Sequence, residues 1–279
     1  MVPGHPFGRA RLPGVSSLHD SVTYRAYLCV ANDQGRLGDD EDFFHSNITP
    51  VTGSDIDNVF TSQMVNHGRF DELKWAFGDD LRAQLYYDHK LGIYYLLFPG
   101  TSQPIDNQNN TQTALNGIGD RYLQAANLVS QIKPEVINKV VLTGHSLGGG
   151  LAAYAAHKSE HPMRVIAFDP AGLNRNMLNG NTDLLPSFEN LSEKFQQENP
   201  EKHDLIDWYY IDGSWLAFAN RHAFLYPIGH VWKIVQDPNF YMNGWPIDGH
   251  EINHVKYGLQ QLFDNDPQWR ERDQSFSTL

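Results

Sequence analysis

A serine within a glycine-rich turn constrains the fold of this chain more than any other feature. A strand-like run at 139–143 leads into Gly-His-Ser-Leu-Gly at 144–148, and small residues fill most of 149–156. This order predicts a buried strand, a sharp turn and a helix. In that context the turn is a nucleophile elbow, which lifts the hydroxyl of Ser146 above the sheet and aims a helix N-terminus at it. The sequence therefore predicts Ser146 as a catalytic nucleophile.

Strands and helices alternate on both sides of this turn. The runs at 81–87 and 93–98 are typical of strands, and residues 88–92 between them predict a hairpin turn. The resulting β-α-β-α-β order predicts a mostly parallel central sheet with helices on both faces. Besides the strand at 139–143, the later elements are helices at 120–133 and 147–158 and strands at 164–168 and 206–211.

The remaining segments are interpreted as additions to one domain. No linker divides the chain, so we expect residues 1–279 to form a single domain, on which residues 1–75 pack as an N-terminal extension. Within that extension we predict a loop at 35–55 and a helix at about 55–66. Residues 172–200 form a long insertion, which we expect to be a cap over the site or a dimer surface.

Charge and composition exclude several classes of function. A net charge of −12 argues against binding to nucleic acid or anionic membranes through charge. The 13 histidines show no metal-ligand spacing and Cys29 is the single cysteine, so we expect no metal, no cofactor and no intrachain disulfide. Neither a secretory signal nor a run of about 18 apolar residues is visible. We therefore expect no integral membrane segment, and a protein that is cytoplasmic or exported without a conventional signal.

Two motifs together resemble a known enzyme family. Phe-Pro-Gly-Thr at 98–101 ends one predicted strand, and residues 143–152 carry the Gly-His-Ser-Leu-Gly-Gly sequence. This pair resembles the class 3 lipases, which are the fungal-type triacylglycerol lipases and their bacterial relatives, over about residues 80–260. That family typically has arginine where this chain has Pro99. The resemblance implies an α/β-hydrolase fold and the cleavage of carboxylic esters.

The α/β-hydrolase fold that the resemblance implies places the acid of a Ser-His-Asp triad after the serine in chain order. Asp169 and Asp212 each end a predicted strand. Because the acid of this fold usually follows the second strand after the elbow, we expect Asp212 to be the acid and keep Asp169 as the alternative. Asp207 is a third choice, since it lies at the start of its strand and away from the edge where ligands bind.

The base should lie just after the last strand, where a helix begins. Residues 246–255 offer two histidines there, His250 and His254. We expect His250 to be the base because it stands at the entry of the helix, from which a loop can carry it over the sheet edge. His254 lies one turn further in and is the alternative, while His230 is an outside candidate.

Ester cleavage by a serine passes through a tetrahedral oxyanion, which needs preorganised N–H donors. We expect the backbone N–H of Leu147 to be one donor, and the resemblance implies Thr101 as the other. The apolar segment after the predicted acid also predicts substrate-binding side chains, in an acyl pocket or a moving cover. They are Trp215, Leu216 and Phe218.

These features predict a serine ester hydrolase, a lipase or esterase, that works through an acyl-enzyme intermediate. Its expected partner is an ester or lipid substrate. A phospholipase, or an acyltransferase or thioesterase with the same triad, is the alternative. A non-catalytic binding protein on a hydrolase fold is an alternative of another class. The sequence leaves the acyl preference and the oligomeric state open.

Overall fold

The computed structural model describes residues 16–61, 65–67, 72–75, 81–100, 118–178, 200–222, 225–238, 250 and 252–277. The strands are β1 (Ile48–Pro50), β2 (Val65–His67), β3 (Glu72–Trp75), β4 (Ala83–Asp88), β5 (Ile93–Phe98), β6 (Val140–His145), β7 (Arg164–Phe168), β8 (Ile206–Ile211) and β9 (His230–Ile234). The helices are α1 (Val22–Asp33), α2 (Glu41–Asn47), α3 (Asp120–Val129), α4 (Leu147–Lys158), α5 (Pro200–His203), α6 (Trp215–His222), α7 (Ile252–Asn265) and α8 (Pro267–Ser277).

The nine strands found in these residues form one sheet. Its order is β2-β3-β4-β5-β6-β7-β8-β9, with β1 paired to β4. Strands β5 to β9 run parallel to one another, whereas β1 to β5 pair antiparallel. The carboxyl ends of the parallel strands therefore share one edge, which is where ligands bind in open α/β sheets. The mostly parallel sheet of the sequence prediction is confirmed.

Helices cover both faces of the sheet, as predicted. Successive side chains of a strand point to opposite faces, so each central strand feeds two apolar cores. Leu96 and Leu142 lie in the core beneath α3 and α4, whereas Tyr95 and Val141 lie in the core beneath α1, α7 and α8. The central strands β5 to β8 are thus largely buried on both faces, which leaves their carboxyl ends as the place for a site.

Helix α1 is the main element that the sequence analysis missed. Its first ten residues are all buried, so it lacks the one-sided apolar pattern that identifies a surface helix. Arg25 on this helix donates two hydrogen bonds to Asp88, at 2.9 and 2.7 Å, and both side chains are fully buried. Removing either partner would leave an uncompensated buried charge, which is strongly destabilising. The buried Cys29 belongs to the same helix.

Two local predictions in the N-terminal extension are wrong. The predicted helix at 55–66 is a short 3₁₀ helix over Gly53–Asn58, and β2 begins at Val65. Ile56, Val59 and Phe60 are buried in the core beneath α3, and a short apolar run of this kind does not by itself specify a helix. The predicted loop at 35–55 contains α2 and β1. Residues 179–199 of the predicted insertion lie outside the described residues.

Candidate active site

The serine elbow is a strained turn between β6 and α4. Ser146 has a φ of 57° and a ψ of −126°, a backbone conformation that favours glycine. A Cβ on Gly148 would lie 1.9 Å from the carbonyl oxygen of Phe98, and a Cβ on Gly144 would lie 2.4 Å from the carbonyl carbon of Gly148. Only glycine therefore permits this close approach of β5, β6 and α4, which holds the serine at the tip.

His250 is the side chain that reaches the serine. It lies two residues before α7, and its Nε2 is 2.8 Å from the Oγ of Ser146. The ring is largely enclosed, with 14% of the side chain exposed. For Nε2 to accept the serine proton, the proton of the neutral ring must be on Nδ1. The predicted pairing of Ser146 with His250 is present in the structure.

Asp169 faces the other nitrogen of this ring. Its Oδ2 lies 2.6 Å from His250 Nδ1, so it is placed to accept a hydrogen bond from the Nδ1–H group. Its Oδ1 accepts hydrogen bonds from the backbone N–H of Ile211, at 3.0 Å, and from the hydroxyl of Ser214, at 3.2 Å. Only 2% of the Asp169 side chain is exposed, so these three donors replace the water that an ionised carboxylate would lose on burial.

Backbone strain is concentrated at the same two residues. Among the described residues, Ser146 and Asp169 are the only non-glycine residues with positive φ, at 57° and 37°. Such conformations cost roughly 1–3 kcal/mol each and persist only where the surrounding structure enforces them. They cluster at functional sites in general, so the strain marks the carboxyl ends of β6 and β7 independently of side-chain chemistry.

The expectation that Asp212 pairs with the histidine is wrong. Its side chain is 47% exposed, and its Oδ2 lies 2.7 Å from the Nζ of Lys233 on β9. The pairing of the strands explains why Asp169 is favoured. His145 pairs with Phe168, which pairs with Tyr209, so Asp169 stands level with the serine on the adjacent strand. Asp212 lies one strand further away and two residues further along.

The two histidines considered beside His250 lie away from the serine. The Nδ1 of His254 accepts a hydrogen bond from the backbone N–H of Asp237, at 3.0 Å, on a buried face of α7. His230 is the first residue of β9, so it lies at the amino-terminal end of the parallel strands, opposite the end that carries the serine. Its Nε2 is 3.6 Å from a carboxylate oxygen of Asp204. Neither ring is therefore placed to act as the base.

Asp207, the third candidate for the acid, lies at the far end of its strand from the site. It is fully buried near the start of β8, where it accepts hydrogen bonds from Arg272 and Trp232. Because the catalytic edge is formed by the carboxyl ends of the strands, this carboxylate is a structural group and not a partner of His250.

The predicted oxyanion donors are partly described. Leu147 is the first residue of α4, where backbone N–H groups have no partner within the helix and point toward the elbow. Thr101 lies outside the described residues. Its neighbour Gly100 is close to the nucleophile, because a Cβ built on it would be 3.7 Å from the Cβ of Ser146. Gly100, two residues after the end of β5, therefore lies beside the serine.

The predicted substrate-binding residues divide into two groups. Trp215 is 47% exposed and packs against the ring of His250, with ring centroids 5.2 Å apart and nearly perpendicular planes. Phe218 is 64% exposed on the same helix. Leu216 is buried, with 8% exposure, because successive residues of a helix face different directions and Leu216 faces inward; its contact with substrate stays a prediction.

A second histidine lies behind the first. The ring of His145 stacks on that of His250, with centroids 4.6 Å apart and 27° between the planes. Burial, together with the neighbouring His250, lowers the pKa of His145 well below its ordinary value of 6.5, so this ring stays neutral beside the base. Its Nδ1 lies 3.2 Å from the Nε2 of Gln34. The elbow motif contains His145, but no local sequence signal identifies Gln34.

Metal sites and membrane spans are not found in the described part of the chain. No group of three or more His, Cys, Asp or Glu side chains in it is arranged to hold a metal ion. No helix in it has the length and apolarity needed to cross a membrane.

A mostly parallel sheet with a serine elbow, and an aspartate and a histidine at the carboxyl ends of its parallel strands, defines an α/β-hydrolase. The chain belongs to the family of Tle-like phospholipase domains, a phospholipase-like family whose model matches residues 55–274. This membership supports an ester-cleaving hydrolase of the lipase-like kind, in agreement with the resemblance seen in the motifs.

Solved structures with some similarity include lipases and an acetyltransferase. The Lip2 lipase from Yarrowia lipolytica is 16% identical, covers 77% of this chain and 77% of its own, and has a TM-score of 0.42. A Rhizomucor miehei lipase in a propeptide complex is 13% identical, with coverage of 77% and 66% and a TM-score of 0.40. The capsule O-acetyltransferase of Neisseria meningitidis serogroup A is 9% identical, with coverage of 75% and 99% and a TM-score of 0.38. No curated protein matches the chain.

Proposed function

We propose that the chain hydrolyses the carboxylic esters of phospholipids through Ser146, His250 and Asp169. The observation that carries the proposal is the hydrogen-bonded series of these three side chains, with separations of 2.8 and 2.6 Å. The position of the series at the carboxyl edge of the sheet and the membership of a phospholipase-like family support it.

The geometry suits general-base catalysis. His250 Nε2 takes the proton of Ser146 as its Oγ attacks the ester carbonyl, and Asp169 stabilises the imidazolium that forms. The same proton then passes from Nε2 to the departing alkoxide, which leaves as the lysophospholipid hydroxyl. Water attacks the acyl-enzyme with His250 again as base, and the fatty acid is released. His145 stays neutral, so it adds no positive charge next to the imidazolium.

The oxyanion of each tetrahedral intermediate forms beside the N-terminus of α4. The N–H of Leu147 and the positive end of the helix dipole are positioned to stabilise this charge. A second donor is needed, and the backbone N–H of Thr101 is the proposed one. Removing a single oxyanion donor typically costs about 10²–10³ in kcat.

The surface near the site favours an apolar substrate. Among the described residues, four large apolar side chains are exposed, and one of them, Trp215, packs against the ring of His250. Two are on α6, one is in the first turn of α3 and one follows β9. A lipid acyl chain that covers such surface gains about 0.8 kcal/mol per buried methylene. The four residues are Leu123, Trp215, Phe218 and Val235.

The products of a defined phospholipid in H₂¹⁸O test the proposal. Hydrolysis through an acyl-enzyme should release fatty acid with one ¹⁸O, together with lysophospholipid, whereas phosphodiester cleavage would release the head group and label the phosphate. A fluorophosphonate probe should label the wild-type chain at Ser146. Head-group release, or fatty acid release without probe labelling at Ser146, would contradict the proposal.

The matched control is a variant that cannot form the nucleophile. Ser146→Ala should fold, resist the probe and lose about three or more orders of magnitude in ester turnover, because triad residues act as a unit. Circular dichroism and thermal unfolding establish that the variant is folded. Near-wild-type turnover in a folded Ser146→Ala chain would exclude this mechanism.

A further inference from the structure

Ser214 lies between the catalytic acid and the helix that lines the site. It is the residue just before α6, and its side chain is almost fully buried, with 1% exposure. Its Oγ is 3.2 Å from Oδ1 of Asp169, and it is also 3.0 Å from the backbone nitrogen of Ala217 in the first turn of α6. One hydroxyl thus contacts both the acid and the helix.

The two contacts use different parts of the hydroxyl. A serine hydroxyl has one proton to donate and lone pairs that accept. The N–H of Ala217 can only donate, so it is accepted by a lone pair in the manner of a helix N-cap. The single proton of Ser214 is then free to go to the Asp169 carboxylate. The capping of α6 and the support of the acid are therefore compatible at the same time.

The far end of α6 is tied to the same stretch of chain. The side-chain amide of Asn220 donates to the carbonyl oxygen of Pro170, at 3.1 Å, and its carbonyl oxygen accepts from the N–H of Gly172, at 3.1 Å. Residues 169–172 are thus held by α6 at both ends. Because Trp215 on this helix packs against His250, α6 contacts both members of the acid–base pair.

We propose that Ser214 is a positioning residue for the acid of the reaction, an assignment that rests on the proposed function. Its hydroxyl and the N–H of Ile211 hold Oδ1, so that Oδ2 stays aimed at His250 Nδ1. Two donors to Oδ1 also stabilise the ionised form of the carboxylate while His250 alternates between imidazole and imidazolium during the reaction. The titratable groups around this arrangement are Asp169, His250 and the neutral His145 that stacks on His250.

Three substitutions separate support of the acid from capping of the helix. Ser214→Ala loses both contacts, Ser214→Thr keeps both, and Ser214→Asp keeps an acceptor for Ala217 but cannot donate when ionised. We expect Ser214→Ala to lower kcat by about ten- to a hundredfold with little change in KM, as fits the loss of a hydrogen bond to a charged group. Ser214→Thr should restore most of kcat. Ser214→Asp should lose more activity than Ser214→Ala, because it adds a like charge beside the acid.

The pH profile of kcat/KM gives a readout that capping alone would not move. Loss of a donor makes the Asp169 carboxylate more basic, which favours the protonated form of His250 and moves the acid limb of the profile to higher pH. Ser214→Asp should move the same limb further in the same direction. Thermal unfolding of each variant reports the contribution of the helix cap.

The outcomes distinguish this inference from the function on which it rests. A wild-type pH profile and kcat in Ser214→Ala, with only a lowered Tm, would overturn the positioning role while leaving the ester hydrolase intact. If Ser214→Ala does not fold, the comparison of Ser214→Thr with Ser214→Asp tests the positioning role, because both variants keep the helix cap. Equal kcat in these two variants would also overturn the positioning role. Failure of the proposed function itself would appear separately, as head-group release from the phospholipid by the wild-type chain or as full activity in Ser146→Ala.

Discussion

Strands β7 and β8 run side by side, and each is followed by an aspartate, yet only one of the two carboxylates enters the site. Asp169 is buried, has a positive φ and contacts His250. Asp212 is half-exposed and pairs with Lys233 at the surface. The contrast shows what selects the acid. It follows the strand next to β6, which leads into the serine elbow, and it stands level with the serine in the register of the sheet. Position in chain order, from which Asp212 was expected, does not distinguish them.

Burial makes the difference large in energetic terms. The Asp169 carboxylate is held by donors on three sides, in a setting where an unsatisfied charge would be costly. The Asp212–Lys233 pair remains in contact with water, which screens its attraction. The same residue type therefore serves as a fixed acceptor for the histidine on one strand and as a surface charge on the next.

The largest expected effect is on catalysis, where the two aspartates should differ by orders of magnitude. Asp169→Asn should lower kcat by about 10³–10⁴, because an amide favours the wrong tautomer of His250. Asp212→Asn should stay within about twofold of wild type, because exposed ion pairs contribute little. Steady-state kinetics on a soluble ester, with the fluorophosphonate-reactive fraction used to count active sites, provide the comparison. Equal losses in the two variants would mean that the acid is not chosen by burial and adjacency.

An intermediate effect is expected at the other end of β8. Burial raises the pKa of Asp207 from 3.8 to about 6, against the opposing influence of Arg272. The folded state then binds a proton more tightly than the unfolded state. The resulting contribution to stability is fully present below pH 3.8 and is lost as pH rises through about 6.

Asp207→Asn tests this because the amide cannot titrate. The unfolding free energy of wild type minus that of the variant should fall by about 1–3 kcal/mol between about pH 4 and pH 7. Urea titrations at several pH values measure it, and Asp212→Asn serves as the exposed control at the other end of the strand. If the difference in unfolding free energy stayed constant or rose with pH, burial would not raise the pKa of Asp207, and this carboxylate would behave like the exposed Asp212.

The smallest expected effect concerns the surface pair itself. Lys233→Ala should change the unfolding free energy by less than about 1 kcal/mol, and ester turnover should not change, since exposed ion pairs contribute little. Raising the salt concentration should remove what contribution there is. A loss well above about 1 kcal/mol would show that the end of β8 is more rigidly held than the exposure of Asp212 implies.

The sequence predicted those parts of the molecule that are specified by local pattern. Strands β5, β7 and β8 and helix α4 have the predicted bounds, because runs of apolar residues and a glycine-rich elbow are local signals. The pairing of Ser146 with His250 followed from the order of elements in the resembled family. Helix α1 was missed because it is buried on all sides and shows no amphipathic period.

The acid was assigned to the wrong strand for a different reason. The choice between Asp169 and Asp212 depends on the register of β6, β7 and β8, which is a long-range property that no short window of sequence contains. The roles of Ser214 and Gln34 also have no local sequence signal, since their partners lie 45 and 111 residues away in the chain. The single-domain organisation of residues 1–279 stays a prediction.

The left-handed backbone at Ser146 implies a conflict between thermal stability and catalytic activity. Glycine would adopt a φ of 57° without steric cost. The residue with the least backbone strain at this position is therefore one that has no hydroxyl to attack an ester. Selection for thermal stability alone, with no demand for turnover, should therefore replace the serine with glycine and recover up to about 1–3 kcal/mol of strain. The tip of the elbow is thus a place where a more stable chain is, by construction, an inert one.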